Sequence, residues 1–245
     1  LDTVSLFKET IGNKNFFWAT KGFDPETGGL FSTVVEKALG KTTPYAVISG
    51  PTFARELAEG KPAAITLATN NIHSPAVLAK QMSNKNLRVY LSDDPAGVQL
   101  GGGLKNIIAI AAGVSDALKM GANARAALVT RGLSEIKLLG KKLGGDEKTF
   151  MGLSGMGDLM LSCTDDQSRN RLLGLSIGKG LSFKEATTQQ NSVPEGAHAI
   201  KTLVEKNIVT DEQPIMFAVY QVLYGGSDVN KIAEELMLRP IKGEL

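Results

Sequence analysis

The chain reads as an α/β region followed by an all-helical one: part of a doubly wound parallel sheet, then a C-terminal helical domain. Three observations predict it. Over the first hundred residues short β-rich runs alternate with helical ones, a pattern that builds a largely parallel sheet covered by helices. Beyond Pro95 the strand signals stop and helical runs follow one another. At the junction lies an almost wholly apolar segment, Pro95 to Val114, broken by three glycines (Gly101 to Gly103) and by two polar side chains, Lys105 and Asn106. The expected division is therefore residues 1–94 and 95–245.

Phe16 to Thr20, Tyr45 to Ser49, Ala63 to Ala68 and Leu87 to Leu91 read as strands, because β-branched, aromatic and small apolar residues run there between turn formers. The spacing of Leu30, Val34, Ala38 and Leu39 marks a helix, as do the runs Phe53 to Ala58 and Pro75 to Met82. Later helices are expected at Asn123 to Leu143 (closed by Gly144-Gly145), Ser168 to Ile177, Phe183 to Gln190, Glu195 to Lys206, Ile215 to Tyr224 and Val229 to Leu236. Ser182 with Glu185 forms a capping box for one of them. Gly155-Met-Gly-Asp-Leu159 reads as a flexible turn presenting one carboxylate, Asp158.

A chain of 245 residues, 42% hydrophobic and 21% charged, suits two modest globular domains. Its net charge of +2 argues against nucleic acid or an anionic membrane as the main partner. Single Cys163 cannot form an internal disulfide, and the residues after Leu1 lack a secretion-signal pattern, so a cytoplasmic location is expected. His73 and His198 have no cysteine or carboxylate partners at ligand spacing, so no metal is expected; His73 sits in an exposed turn. Pro95 to Val114 is nearly long enough to cross a bilayer, but a central charge and a Gly-Gly-Gly run suit a lipid-facing helix poorly.

Lys105 is the residue to explain. An ammonium withdrawn from water is either paired or discharged, and a discharged lysine is a general base near neutral pH. A lysine that merely snorkels needs a polar stripe to follow, yet Leu104, Ile107, Ile108, Ile110 and Ala111 surround this one. The three glycines one turn earlier cost helix stability and leave bare backbone where a ligand or another chain can approach closely.

The loops that face this helix carry further chemistry. Ser49-Gly-Pro-Thr-Phe53 leaves a strand and opens a helix, offering N–H groups and the Thr52 hydroxyl to an anion, although such a loop standing alone is more often a simple turn with Thr52 as cap. Trp18-Ala-Thr-Lys-Gly22 delivers Lys21 to the carboxyl edge of the sheet, where open α/β sheets bind ligands. Gln167-Ser-Arg-Asn170 gathers hydroxyl, guanidinium and amide at a helix start, a set suited to gripping a phosphate. Gly101-Gly-Gly-Leu-Lys105 lacks the ending of a nucleotide P-loop. No Gly-x-Gly-x-x-Gly dinucleotide fingerprint with a downstream acid occurs in the chain.

Taken in order, Trp-Ala-Thr-Lys-Gly, Ser-Gly-Pro-Thr-Phe-Ala, Gly-Gly-Leu-Lys-Asn, Gly-Asp-Leu and Gln-Ser-Arg-Asn resemble the bacterial NAD(P)-dependent sn-glycerol-3-phosphate dehydrogenases, from near Leu1 to about Tyr224. The resemblance implies a Rossmann-like dinucleotide-binding domain ahead of a helical domain, and hydride transfer between glycerol 3-phosphate and NAD or NADP to give dihydroxyacetone phosphate. It makes Lys105 the proton acceptor. Lys21, Gly50, Thr52, Lys105, Asp158, Ser168, Arg169 and Asn170 become substrate contacts, and Lys21, Ala54, Arg169, Val193 and Glu195 cofactor contacts. The family's Val-Val-Glu-Gly stands here as Val193-Pro-Glu-Gly196, so Pro194 is a departure. It further implies a supply of glycerol phosphate for phospholipid synthesis, no nucleic-acid partner, no membrane span, and a homodimer as an admissible assembly.

The family opens with a strand, a glycine-rich turn and a helix that hold the pyrophosphate, roughly 90 residues expected before Leu1. On that reading the 245 residues alone keep a weak anion site, lose dinucleotide affinity and do not oxidise glycerol 3-phosphate. The residue that selects NAD over NADP belongs to the same portion. Two other readings remain at this stage: a related two-domain hydroxy-acid dehydrogenase, and a non-catalytic phosphometabolite-binding fragment.

Overall fold

Strand β2 (Tyr45–Ser49) carries the logic of the sheet. Its alternate residues serve two different cores: Tyr45 and Val47 pack with Val35, Ala68 and Val98, whereas Ala46 packs with Leu67, Ile72 and Ala79. Successive side chains of a strand point to opposite faces, so this split covers both faces of the sheet, as in a doubly wound fold. The computed structural model describes residues 16–70 and 72–239. Within them the sheet has four strands in chain order: β1 (Phe16–Trp18), β2, β3 (Ala63–Asn70) and β4 (Leu87–Ser92).

Helix α1 (Phe31–Leu39) connects β1 to its parallel neighbour β2. Helix α2 (Ala54–Ala58) lies between β2 and β3, and α3 (Pro75–Met82) connects β3 to its parallel neighbour β4. The expected doubly wound class holds, but one strand pair departs from parallel: β2 and β3 run antiparallel, with Val47 opposite Ala68. The connection explains the reversal. A parallel crossover must travel back along the strand, roughly 16 Å for five residues, and α2 spans only about 7 Å.

Nine α-helices follow among the described residues, the first of which is the apolar segment at the junction. Helix α4 (Pro95–Ala117) starts on Asp94, whose carboxylate accepts from the Gly97 N–H at 2.8 Å, with Pro95 in the first turn where its missing N–H costs nothing. It is buried on all sides and forms the axis of the main core with Leu133, Ile136, Leu173, Ile200 and Leu203. Among the described residues α4 alone is long and apolar enough to cross a membrane, and 89% of that stretch is buried inside the fold. It is a core helix. Around it stand α5 (Gly121–Lys142), α6 (Glu147–Phe150), a π-helical turn (Leu153–Gly157), α7 (Asp158–Thr164) and α8 (Arg169–Gly178). The chain continues through α9 (Phe183–Gln189), α10 (Glu195–Glu205), α11 (Pro214–Leu223) and α12 (Val229–Met237). The capping box of Ser182 and Glu185 is present at the start of α9.

Helix α8 crosses α4 at backbone contact. A Cβ on Gly113 would lie 2.1 Å from the Arg171 carbonyl oxygen, and one on Gly174 would lie 2.0 Å from that of Ile110. The crossing is locked by charge: Arg171 meets Asp116 of α4 at 2.8 Å, and Arg125 holds the same carboxylate at 2.9 and 3.0 Å.

Glu135 gives the helical part a pH dependence. Only 6% exposed on α5, it accepts from the N–H groups of Ile215 (2.8 Å) and Met216 (3.1 Å) at the start of α11. Burial pushes its carboxyl up from 4.5 to about 7, against those two donors. A folded value above the unfolded one means a contribution present at low pH and lost as pH rises through about 7. At 1.36 kcal/mol per unit, the loss between pH 5 and pH 8 is about 2–3 kcal/mol. Chemical denaturation of Glu135→Gln should show a correspondingly flatter pH dependence than the parent; parallel curves would remove Glu135 as the cause.

Candidate active site

The Gly101–Gly103 run admits three different segments to the face of α4. A Cβ on Gly101 would lie 2.6 Å from the Ser154 carbonyl oxygen, one on Gly102 would lie 2.7 Å from Ser49 Oγ and 3.4 Å from Lys21 Cγ, and one on Gly103 would lie 2.8 Å from the Phe23 ring. The glycines therefore seat protein, not ligand: the π turn, the end of β2 and the loop after β1. Those three segments bring the site together.

The π turn sets the partner of Lys105. It folds back so tightly that a Cβ on Gly155 would lie 2.1 Å from the Phe150 carbonyl oxygen, and it runs directly into α7. Residues four apart share a helix face, so Gly101 and Lys105 on α4 oppose Ser154, Asp158 and Ser162. Lys105 Nζ donates to Asp158 Oδ1 at 2.9 Å and to Ser162 Oγ at 2.6 Å. Lys105 is 7% exposed, Asp158 1% and Ser162 2%. The expected flexible turn is thus a correction: Gly155 to Leu159 is helical, a π turn running into α7, and Gly155 answers to close approach, not mobility.

Lys21 completes the cluster from the carboxyl edge of the sheet. Its Nζ donates to Asp158 Oδ2 at 2.5 Å and to the Gly50 carbonyl oxygen at 3.2 Å. One buried carboxylate thus lies between two lysines. Burial pushes the Lys105 ammonium below the ordinary lysine value; the Lys21 charge acts in the same direction, while Asp158 and Glu195 oppose it.

A second chain of contacts starts one residue along. Asn106 Nδ2 donates to Glu195 Oε2 at 3.3 Å, and Asn170 Oδ1 accepts from the Gly196 N–H at 2.8 Å. Gly196 sits so close that a Cβ there would lie 2.6 Å from the Asn106 carbonyl oxygen and 2.7 Å from Asn170 Oδ1. Ser168 caps α8 by accepting from the Arg171 N–H at 3.3 Å, which leaves its O–H free to donate elsewhere.

Of the residues singled out in the sequence, Lys21, Gly50, Lys105 and Asp158 form one hydrogen-bonded cluster. Asn170 is joined to α10 through Gly196, and Glu195 to α4 through Asn106. Thr52 does not cap α2; its hydroxyl reaches back to the Gly50 carbonyl at 3.4 Å. Ala54, Arg169 and Val193 are exposed, and among the described residues no hydrogen bond or ion pair ties their side chains to the cluster. His73 is exposed, as its turn implied. Ser162 and Gly196 were missed. The four-residue spacing of Asp158 and Ser162 signals a shared face only once residues 158–164 are known to be helical. Cys163, fully buried beside them, has its thiol pushed up to about 12 by burial. A groove of about 1050 Å³ lined by α4, α5, α11 and α12 shares no lining residue with this cluster.

Comparisons with known proteins give the family. Residues 94–234 match the family model for the C-terminus of NAD-dependent glycerol-3-phosphate dehydrogenase, and residues 3–74 match that for its N-terminus. Glycerol-3-phosphate dehydrogenase [NAD(P)+] of Haemophilus influenzae strain PittEE is 50% identical over 231 residues, which is 93% of this chain and 68% of the relative. The same enzyme of Pasteurella multocida is 49% identical over 93% of this chain and 68% of its own. A crystal structure of glycerol-3-phosphate dehydrogenase from Coxiella burnetii superposes with a TM-score of 0.90 at 40% identity, covering 97% of this chain and 73% of that one. The chain belongs to the NAD-dependent glycerol-3-phosphate dehydrogenase family.

Proposed function

We propose that Lys105 accepts the hydroxyl proton when sn-glycerol 3-phosphate is converted to dihydroxyacetone phosphate, the family's reaction. One observation carries this reading. Asp158 Oδ1 and Ser162 Oγ accept two N–H bonds from Lys105 Nζ. A neutral amine has two such bonds and one lone pair, so holding both bonds directs the lone pair away from the two acceptors, toward a bound hydroxyl. Burial favours the discharged form of the lysine relative to an exposed one. When the reaction runs backward, the ammonium returns its proton to the carbonyl oxygen.

The bound dinucleotide, NAD or NADP, supplies the hydride acceptor. Val193 and Glu195 suit that contact because both are open to solvent, and Asn106 ties Glu195 to the residue beside the base. Ala54, Lys21 and Arg169 complete the cofactor contacts. The substrate phosphate falls to Ser168, Arg169 and Asn170 at the start of α8, and Gly50, Thr52 and Lys21 line the substrate near its reacting carbon. Lys21, anchored on Asp158, adds positive charge where the oxygen gains negative charge. Residues 1–94 belong to the dinucleotide-binding α/β domain and residues 95–245 to the helical substrate domain, and each domain lends contacts to both ligands. The enzyme is cytoplasmic and works mainly toward glycerol 3-phosphate for phospholipid synthesis. A homodimer would cover exposed surface such as Tyr90 and Leu91 on β4.

Arg169 provides the test of the phosphate site. Arg169→Lys keeps the charge and loses the planar fork, so glycerol 3-phosphate binding should weaken by about 1.5–3 kcal/mol while glycerol binding stays the same. Equal losses for the two compounds would show that Arg169 does not contact the phosphate.

A further inference from the structure

The segment 193–196 touches both sides of the site. Glu195 is held by Asn106, next to the base, while the N–H of Gly196 holds the side-chain oxygen of Asn170, which the reading above assigns to the substrate phosphate. Because Oδ1 of Asn170 is committed to that N–H, its Nδ2 donors are turned the other way, the orientation an anion requires. Gly196 is pressed against the Asn106 carbonyl as well, with no room for a Cβ. The start of α10 therefore cannot shift without disturbing both Asn106 on α4 and Asn170 on α8.

We propose that Asn106 is a positioning residue that makes segment 193–196 a coupling element: dinucleotide bound on Val193 and Glu195 fixes the start of α10, and through Gly196 fixes the Asn170 amide for the phosphate. This rests on the site reading given above. Coupling between two ligands is reciprocal, so each binds more tightly when the other is present. Asn106 contacts neither ligand in this scheme. Its removal weakens the coupling without weakening the phosphate site of the cofactor-free enzyme.

The experiment is calorimetric binding of glycerol 3-phosphate to the active enzyme with and without saturating NADH, a pairing that does not turn over. In the parent, NADH should tighten glycerol 3-phosphate binding by about tenfold or more. In Asn106→Ala that ratio should fall toward one, while affinity without NADH stays within about threefold of the parent; should alanine unfold the helix, Asn106→Leu keeps the volume and equally lacks the donor. Asn170→Asp, which turns a carboxylate oxygen toward the phosphate, should abolish binding with or without NADH. An unchanged ratio in both Asn106 variants overturns the coupling, as does an equal loss of affinity with and without NADH. Unimpaired binding by Asn170→Asp would instead overturn the underlying phosphate site, so the two failures are told apart.

Discussion

In the complete, dinucleotide-binding enzyme, replacing Lys105 by methionine is expected to lower kcat by a factor of about 100 or more with the fold intact, the usual scale for loss of a general base. Methionine suits the site physically: its unbranched stem resembles that of lysine and, unlike a charged replacement, it is at ease on a helix whose neighbours Leu104 and Ile108 are fully buried. Asp158 is not orphaned by the change, because Lys21 still donates to its other oxygen. The loss therefore falls on the chemical step. Substrate affinity should change much less, since the proposed phosphate contacts lie on α8. Circular dichroism and single-turnover rates with saturating cofactor separate the two effects, and near-normal turnover would return Lys105 to a structural role.

The second large effect belongs to Asp158. It is 1% exposed and accepts from both lysines, so Asp158→Asn leaves two ammonium groups facing each other in a buried site. Breaking a buried pair on one side commonly costs about 3–5 kcal/mol. Lys105 can relieve part of that by discharging, because the charge and hydrogen bond of Asp158 are what hold its pKa up. The sign of the pH effect follows. Oxidation needs the neutral amine, so kcat/KM rises with pH through the Lys105 pKa, and in Asp158→Asn this limb should move to lower pH with a lower plateau. Stability responds consistently: the folded value lies below the unfolded 10.5, so stability gained from this group rises with pH across that interval, and the variant widens it. A limb that stays in place would mean that another group titrates.

The amino-acid pattern made the sheet and the axis of the helical part legible for identifiable reasons. Tyr45 to Ser49 alternates between two cores, and Pro75 to Met82 opens with a proline where a helix tolerates one. Lys105 stood out because a single charge inside an apolar helix requires a partner. That partner was harder to place. Asp158 follows two glycines that read locally as flexibility, whereas the fold uses Gly155 to let the π turn press against the Phe150 backbone. Nothing within residues 153–157 alone reveals that constraint. Likewise the antiparallel β2–β3 pair depends on how far α2 reaches, a length that Phe53 to Ala58 fixes but composition does not announce. The contacts of Gly196 and Ser162 join segments far apart in the chain, so they appear only once α4, α7, α8 and α10 are packed.

Chemical rescue tests the role of Lys105 most directly. Lys105→Ala removes the amine and leaves a channel that a small primary amine can enter. With propylamine in solution, turnover should recover in proportion to the free-base amine, rising with pH as more of it loses its proton, while tetrapropylammonium, which has no N–H and no lone pair, restores nothing. Turnover by Lys105→Ala near the parent rate without added amine would show that the proton leaves the substrate by another route.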